Sequence, residues 1–249
     1  MIIAEIGLNH LGCEEYLQTY LQKLLCSPVD AITIQIREKK FYKNTRFDNL
    51  ELSMETYNKI SDIVRSGGKK FGLATSDLKC LPSITKQIDF FKILSKDIGD
   101  KEIINQLVNS IDSPVFISTG MASNQSIESL INMINIDKKK NVNLIHTRLS
   151  NKVEDTNLKA IPSMKKLFGL PVAFGNHCEN TNITYTAVAY EPSAIFFYVK
   201  GFKSVDHPDD KHAILLKDVE EYCKNIKQMM TSLGSGKKEK TNNTIKGQK

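Results

Sequence analysis

Several common signals are missing from this chain, and each absence removes a class of function. No apolar run approaches the roughly 18 residues of a membrane span. No charged leader precedes a long apolar stretch, and the first strand candidate begins at residue 2, so no signal peptide is expected. The five cysteines (Cys13, Cys26, Cys80, Cys178 and Cys223) are odd in number and form no C-x-x-C pair. That predicts reduced thiols and a cytoplasmic chain rather than a disulfide framework. No Walker loop, dinucleotide fingerprint or nucleophile elbow occurs. Charge is modest too. The formal net charge is +6, and beyond Gly234 five lysines against Glu239 leave +4 of it in the tail. The rest is close to neutral, so neither a nucleic-acid partner nor a membrane partner is expected.

What is present is an alternation of short apolar runs with amphipathic stretches. Strands are predicted at Ile2–Glu5, Ala31–Ile36, Lys70–Ala74, Phe90–Leu94, Val115–Ser118, Val142–His146, Val172–Phe174 and Ala194–Val199. Helices are predicted at Glu14–Leu25, Ser53–Ser66, Lys101–Ser110, Asn124–Ile134, Asn157–Leu167, Thr181–Tyr190 and Lys217–Leu233. Gly67-Gly68 and Ser113-Pro114 mark returns from helix to strand. Eight such units in 249 residues predict the α/β class and a single-domain (β/α)8 TIM barrel over residues 1–233. Residues 234–249 are polar and lack periodicity, which predicts a disordered basic tail.

In such a barrel the active site is assembled from the C-terminal ends of the strands. Most of the predicted strands end there in polar residues: Glu5, then Asn9 and His10; Thr33, Gln35 and Arg37; Thr75 and Asp77; Lys92, Ser95 and Asp97; Ser118-Thr119-Gly120; His146-Thr147-Arg148; Gly175-Asn176-His177; Tyr198 and Lys200. Lys92 stands out, because Phe90, Phe91, Ile93 and Leu94 surround it and a buried ammonium is costly without an anion. It either binds phosphate or carboxylate, forms a Schiff base, or turns outward and snorkels between helices. Glu5 is either a base or a structural group paired with Lys92. The hydroxyls and amides of Ser118-Thr119-Gly120 suit an oxyanion. His177 is a candidate for metal ligation or proton transfer, His146 for packing, and His207 and His212 for a solvated polar loop.

In order along the chain, these segments resemble the sialic acid synthase family. The resemblance is carried by Ile2-Ile-Ala-Glu-Ile-Gly-Leu-Asn-His10, Leu50-Glu-Leu-Ser53, Phe71-Gly-Leu-Ala-Thr-Ser-Asp77 and Phe91-Lys-Ile-Leu-Ser95. Pro114-Val-Phe-Ile-Ser-Thr-Gly-Met121, Glu154-Asp-Thr-Asn-Leu158, Asn176-His177 and Pro208-Asp209 complete the series. It implies condensation of phosphoenolpyruvate with an open-chain N-acyl hexosamine, giving a nonulosonic acid such as sialic, legionaminic or pseudaminic acid. It also implies a divalent metal, commonly Mn2+, as Lewis acid, and a homodimer. By resemblance, Glu5 activates or orients water, and Gln35, Thr75, Lys92, Ser95 and Ser118 contact phosphoenolpyruvate. His177 binds the metal, and Asp209 contacts sugar or metal-bound water.

The chain also departs from the family pattern. Thr33 replaces a strand-two lysine, with Arg37 on the same face as its candidate substitute. Arg148 stands where the family has an asparagine and a tyrosine, and Tyr198 stands in place of the second metal histidine. The family's antifreeze-like C-terminal domain has no counterpart in these residues. These departures leave a second reading open: a catalytically silent or altered relative that binds a sugar or anion, or supports a partner.

Overall fold

Eight apolar runs pair side by side in the computed structural model of the chain, which describes residues 1–238 except 45, 48, 85 and 86. They are β1 (Ile2–Gly7), β2 (Ala31–Ile36), β3 (Lys70–Thr75), β4 (Phe90–Ile93), β5 (Val115–Ser118), β6 (Val142–His146), β7 (Val172–Gly175) and β8 (Ile195–Lys200). Each pairs in parallel with the next, and β1 pairs with β8 through Ile2↔Ile195 to Glu5↔Tyr198, closing the ring. The (β/α)8 barrel is therefore formed. A two-residue strand, β9 (Ile214–Leu215), adds to the end of β8 outside the ring.

Helices cover the ring because their apolar residues recur at helical spacing. α1 (Glu14–Leu25) buries Leu17, Tyr20, Leu21 and Leu24. Two short helices, α2 (Lys39–Lys43) and α4 (Leu81–Ile84), were not foreseen. Between them α3 (Met54–Ser66) starts at Ser53, whose hydroxyl accepts from the Thr56 N–H at 3.1 Å. The helix expected over Lys101–Ser110 begins as α5 (Lys101–Ile104), capped by Asp100, then widens into π winding over Asn105–Asn109. α6 (Asn124–Met133), α7 (Ala160–Phe168), α8 (Ile183–Val188) and α9 (Val219–Ser232) complete the layer. All five cysteines are unpaired thiols. No helix among the described residues is long and apolar enough to cross a membrane. Of the tail expected to be disordered, 239–249 lie outside the described residues.

Alternation along the strands separates two cores. The outer core fills the space between ring and helices. The lumen is plugged by Ile3, Ala31, Phe90, Phe116, Ile145, Ala173, Ala194 and Phe196. Phe116 packs edge-to-face on Phe90 and on Phe196, at 5.4 and 5.1 Å between ring centroids. Gly72 permits this layer, because a Cβ there would lie 2.3 Å from the Phe90 ring. Two residues further along the same strands come Glu5, Lys92, Ser118 and Tyr198. The aromatic plug is thus the floor of the site.

Candidate active site

Lys92 points into the lumen. Its ammonium is ion-paired with the Glu5 carboxylate, and both side chains are buried. It lies 5.3 Å from the Phe196 ring centroid and 5.5 Å from that of Tyr198. The outward, snorkelling placement is excluded, and the Glu5–Lys92 pairing is present. Ser118 and Gln35 face the same interior from β5 and β2. Among the described residues neither side chain makes a hydrogen bond. Ser95, just past β4, accepts from the Gly120 N–H at 3.2 Å, which ties the turn after β5 to the turn after β4.

The segment between β8 and β9 folds over the mouth. The Asp209 N–H donates to Asn9 Oδ1 at 3.1 Å, and Asn9 Nδ2 donates to the Val199 carbonyl at 2.8 Å. Lys200 Nζ holds both the Asp210 carbonyl and its carboxylate, at 2.6 and 2.9 Å. A Cβ on Gly7 would meet the Tyr198 ring at 2.9 Å and Asp209 Oδ2 at 3.2 Å. This places the Asp209 carboxylate against the end of β1 and above Tyr198. Burial, then the charge of Glu5, pushes the Asp209 carboxyl up to about 7, while Lys92 pulls it down. Burial also raises the Tyr198 phenol well above its ordinary range, so it stays neutral at the mouth.

The polar-loop expectation for His207 and His212 is overturned: both are buried. His207 Nε2 shares a hydrogen bond with the Tyr16 hydroxyl at 2.8 Å, anchoring the segment to α1. His212 turns inward onto His177, with ring centroids 4.5 Å apart. Both rings also contact Tyr198, at 5.4 Å from His177 and 5.0 Å from His212. Burial holds the His177 imidazole well below its ordinary pKa and pushes His212 down to about 4, so both rings are neutral. His212 was missed because its sequence neighbours are polar. The signal that was available is Ala213-Ile214-Leu215-Leu216, an apolar run immediately after it. Among the described residues, no group of three or more His, Cys, Asp and Glu is arranged to hold a metal ion.

Two other expectations are not met by placement. Thr75 lies one residue past the inward-facing Ala74, on the outer face. Its hydroxyl donates to the Asp77 carbonyl, accepts from the Asp77 N–H and touches Cys80 Sγ, closing the turn after β3. Arg148 is exposed and lines a cavity of about 340 Å³ with Thr119, His146, Thr147 and Lys159. Arg37 stacks on the Phe41 ring at 3.8 Å and pairs with Glu38 at 3.1 Å, while its charge still reaches the Tyr198 phenol. His146 is buried and hydrogen-bonded, as the packing expectation has it, with Nε2 2.9 Å from the Thr156 carbonyl.

Comparison with known proteins agrees with this barrel and its segment order. The profile of the NeuB family matches residues 16–238. The chain belongs to the NeuB family. An uncharacterized protein of Methanocaldococcus jannaschii is 28% identical over 247 residues, spanning 95% of this chain and 73% of that protein. The N,N'-diacetyllegionaminic acid synthase of Campylobacter jejuni is 24% identical over 261 residues, covering 95% of this chain and 78% of the synthase. Among solved structures, the N-acetylneuraminic acid synthetase of Leptospira borgpetersenii, crystallised with citrate, superposes with a TM-score of 0.88 at 23% identity. That match covers 97% of this chain and 87% of the synthetase, and it shows the shared fold of the NeuB barrel.

Proposed function

We propose that this NeuB-family chain is a nonulosonic acid synthase, condensing phosphoenolpyruvate with the open-chain aldehyde of an N-acyl hexosamine. The observation that carries this reading is the buried Glu5–Lys92 pair beside the unbonded Ser118 and Gln35 side chains, at the C-terminal mouth of a NeuB barrel. Relatives named as legionaminic and pseudaminic acid synthases support the substrate class.

In this reading Lys92 and Ser118 hold the phosphate and carboxylate of phosphoenolpyruvate, with Gln35 and Ser95 completing the contact. The enol carbon forms the new bond to the aldehyde carbon, whose carbonyl π bond opens to an alkoxide that takes a proton from solvent, and a cationic centre is left at C2. Glu5, already beside Lys92, orients water toward that centre and takes its proton. Phosphate then departs with the bridging oxygen. Asp209 contacts the sugar from above. His177, whose ring nitrogens make no hydrogen bond among the described residues, fits a metal ligand. A divalent metal bound there would polarise the aldehyde as a Lewis acid.

The test is phosphate release from phosphoenolpyruvate, with Mn2+ and a panel of N-acyl hexosamines. Release that requires both substrates is expected. No release with any sugar, while phosphoenolpyruvate still raises Tm, would favour the silent binding protein instead.

A further inference from the structure

The segment that carries Asp209 over the mouth is held from α1, outside the ring. That helix bears two phenols one turn apart, Tyr16 and Tyr20, and both hydroxyls reach the segment. Tyr20 accepts from the Gly201 N–H at 2.8 Å and donates to the Asn9 carbonyl at 2.9 Å. Asn9 Oδ1 in turn receives the Asp209 N–H at 3.1 Å. Tyr16 accepts from the Phe202 N–H at 3.1 Å, which leaves its own proton for His207 Nε2 at 2.8 Å. The Phe202 and His207 rings stack against Tyr16, with centroids 5.7 and 6.0 Å away. The approach is close enough that a Cβ on Gly201 would lie 2.1 Å from the Tyr16 hydroxyl. Phenylalanine would fill the same space. The Tyr16 hydroxyl instead joins two points of the segment, and the second lies two residues before Asp209. Only Pro208, whose ring fixes φ, separates His207 from Asp209, so displacement of one carries to the other.

We infer that Tyr16 is a positioning residue: through His207 it sets where the Asp209 carboxylate stands over the mouth, and so how tightly the sugar is held. Tyr16 itself touches no substrate. The inference rests on the synthase reading for what Asp209 contacts, but not for what holds Asp209.

Backbone hydrogen exchange is measured on the full-length protein without substrates. Steady-state phosphate release is measured with Mn2+, phosphoenolpyruvate and the accepted N-acyl hexosamine. Tyr16→Phe should speed exchange of the Phe202 and Asp209 amides by roughly 2- to 13-fold, the worth of one hydrogen bond, while the β1 amides stay protected. The KM for the sugar should rise by a similar factor, with kcat and the KM for phosphoenolpyruvate unchanged. His207→Leu should give the same pattern, and the double variant no more than either alone, because both remove one contact. His207→Gln, which keeps an acceptor for the phenol, should retain the wild-type KM. If Tyr16→Phe or His207→Leu fails to fold, Gly201→Ala, which crowds the Tyr16 hydroxyl from the segment's side, decides by the same two readouts. Unchanged exchange at Asp209, or exchange raised evenly through the barrel, overturns the positioning role. Exchange raised only in the segment, with the sugar KM unchanged, overturns the link to the sugar. A wild-type protein that releases no phosphate with any sugar overturns the synthase reading, and exchange at Asp209 then judges Tyr16 separately.

Discussion

Lys92 and Glu5 meet inside the barrel from β4 and β1, with side chains only 5% and 4% exposed. Neither charge has another ionic partner among the described residues. Such a pair contributes little net stability, because desolvation offsets the attraction, but removing one member strands the other. Lys92→Met should therefore lower the unfolding free energy by about 3–5 kcal/mol, read from the denaturant midpoint. The double variant Glu5→Gln with Lys92→Met should recover much of that loss, yet show no rise in Tm with phosphoenolpyruvate. Retained protection in the double variant would remove Lys92 from the anion pocket.

Ser118 and Thr75 separate the two faces of the ring. Ser118→Ala should weaken phosphoenolpyruvate binding by about 0.5–1.5 kcal/mol, roughly 2- to 13-fold, measured by thermal shift against ligand concentration. Thr75→Val should leave that affinity unchanged and lower stability alone, since its hydroxyl closes the turn with Asp77. Equal loss of affinity in both variants would contradict the placement.

Gly7 ends β1 with φ of +58°, under the Tyr198 ring and the Asp209 carboxylate. Gly7→Ala should cost about 1–2 kcal/mol from the left-handed backbone alone. It should also displace Asp209, raising the KM for the sugar more than that for phosphoenolpyruvate. A stability loss with both KM values unchanged would show that Asp209 does not touch the sugar.

The strands and most of the helices were legible because apolar periodicity is local. β2, β5, β6 and α1 have the bounds that the pattern predicts. What was not legible lay in parity and in long-range closure. Thr75 was assigned inward, but a strand reverses face at each residue and Ala74 already occupies the lumen side. His212 was assigned to solvent from the polar residues around it. Its burial depends on Asn9 bonding to Asp209, a contact across 200 residues of sequence, and on β9, two residues long and without periodicity of its own. The Glu5–Lys92 pair was an open alternative, because strand registry brings the two together and composition does not.

All five histidines are held below their ordinary pKa by burial, so acid should destabilise the fold steeply. His10 makes the cleanest test: fully buried, with Nδ1 accepting from the Gly12 N–H at 3.0 Å, it is pushed down to about 3. Above about pH 6.5 it is neutral in both states and adds no pH dependence. Below that, the unfolded chain binds a proton that the folded chain refuses. Stability should then fall by up to about 1.4 kcal/mol per pH unit from this one group. His10→Asn, which keeps an acceptor near the Gly12 N–H, should flatten the slope between pH 6 and 4 by about that amount. An unchanged slope would mean that His10 takes up its proton in the folded state.

Phosphoenolpyruvate carrying 18O at the bridging position separates condensation from simple hydrolysis of the phosphate ester. Incubated with Mn2+ and the accepted N-acyl hexosamine, the protein should send the label into inorganic phosphate, as a new C–C-bonded keto sugar acid forms. Unlabelled phosphate accompanied by labelled pyruvate, with no sugar acid, would contradict the synthase chemistry assigned to this barrel mouth.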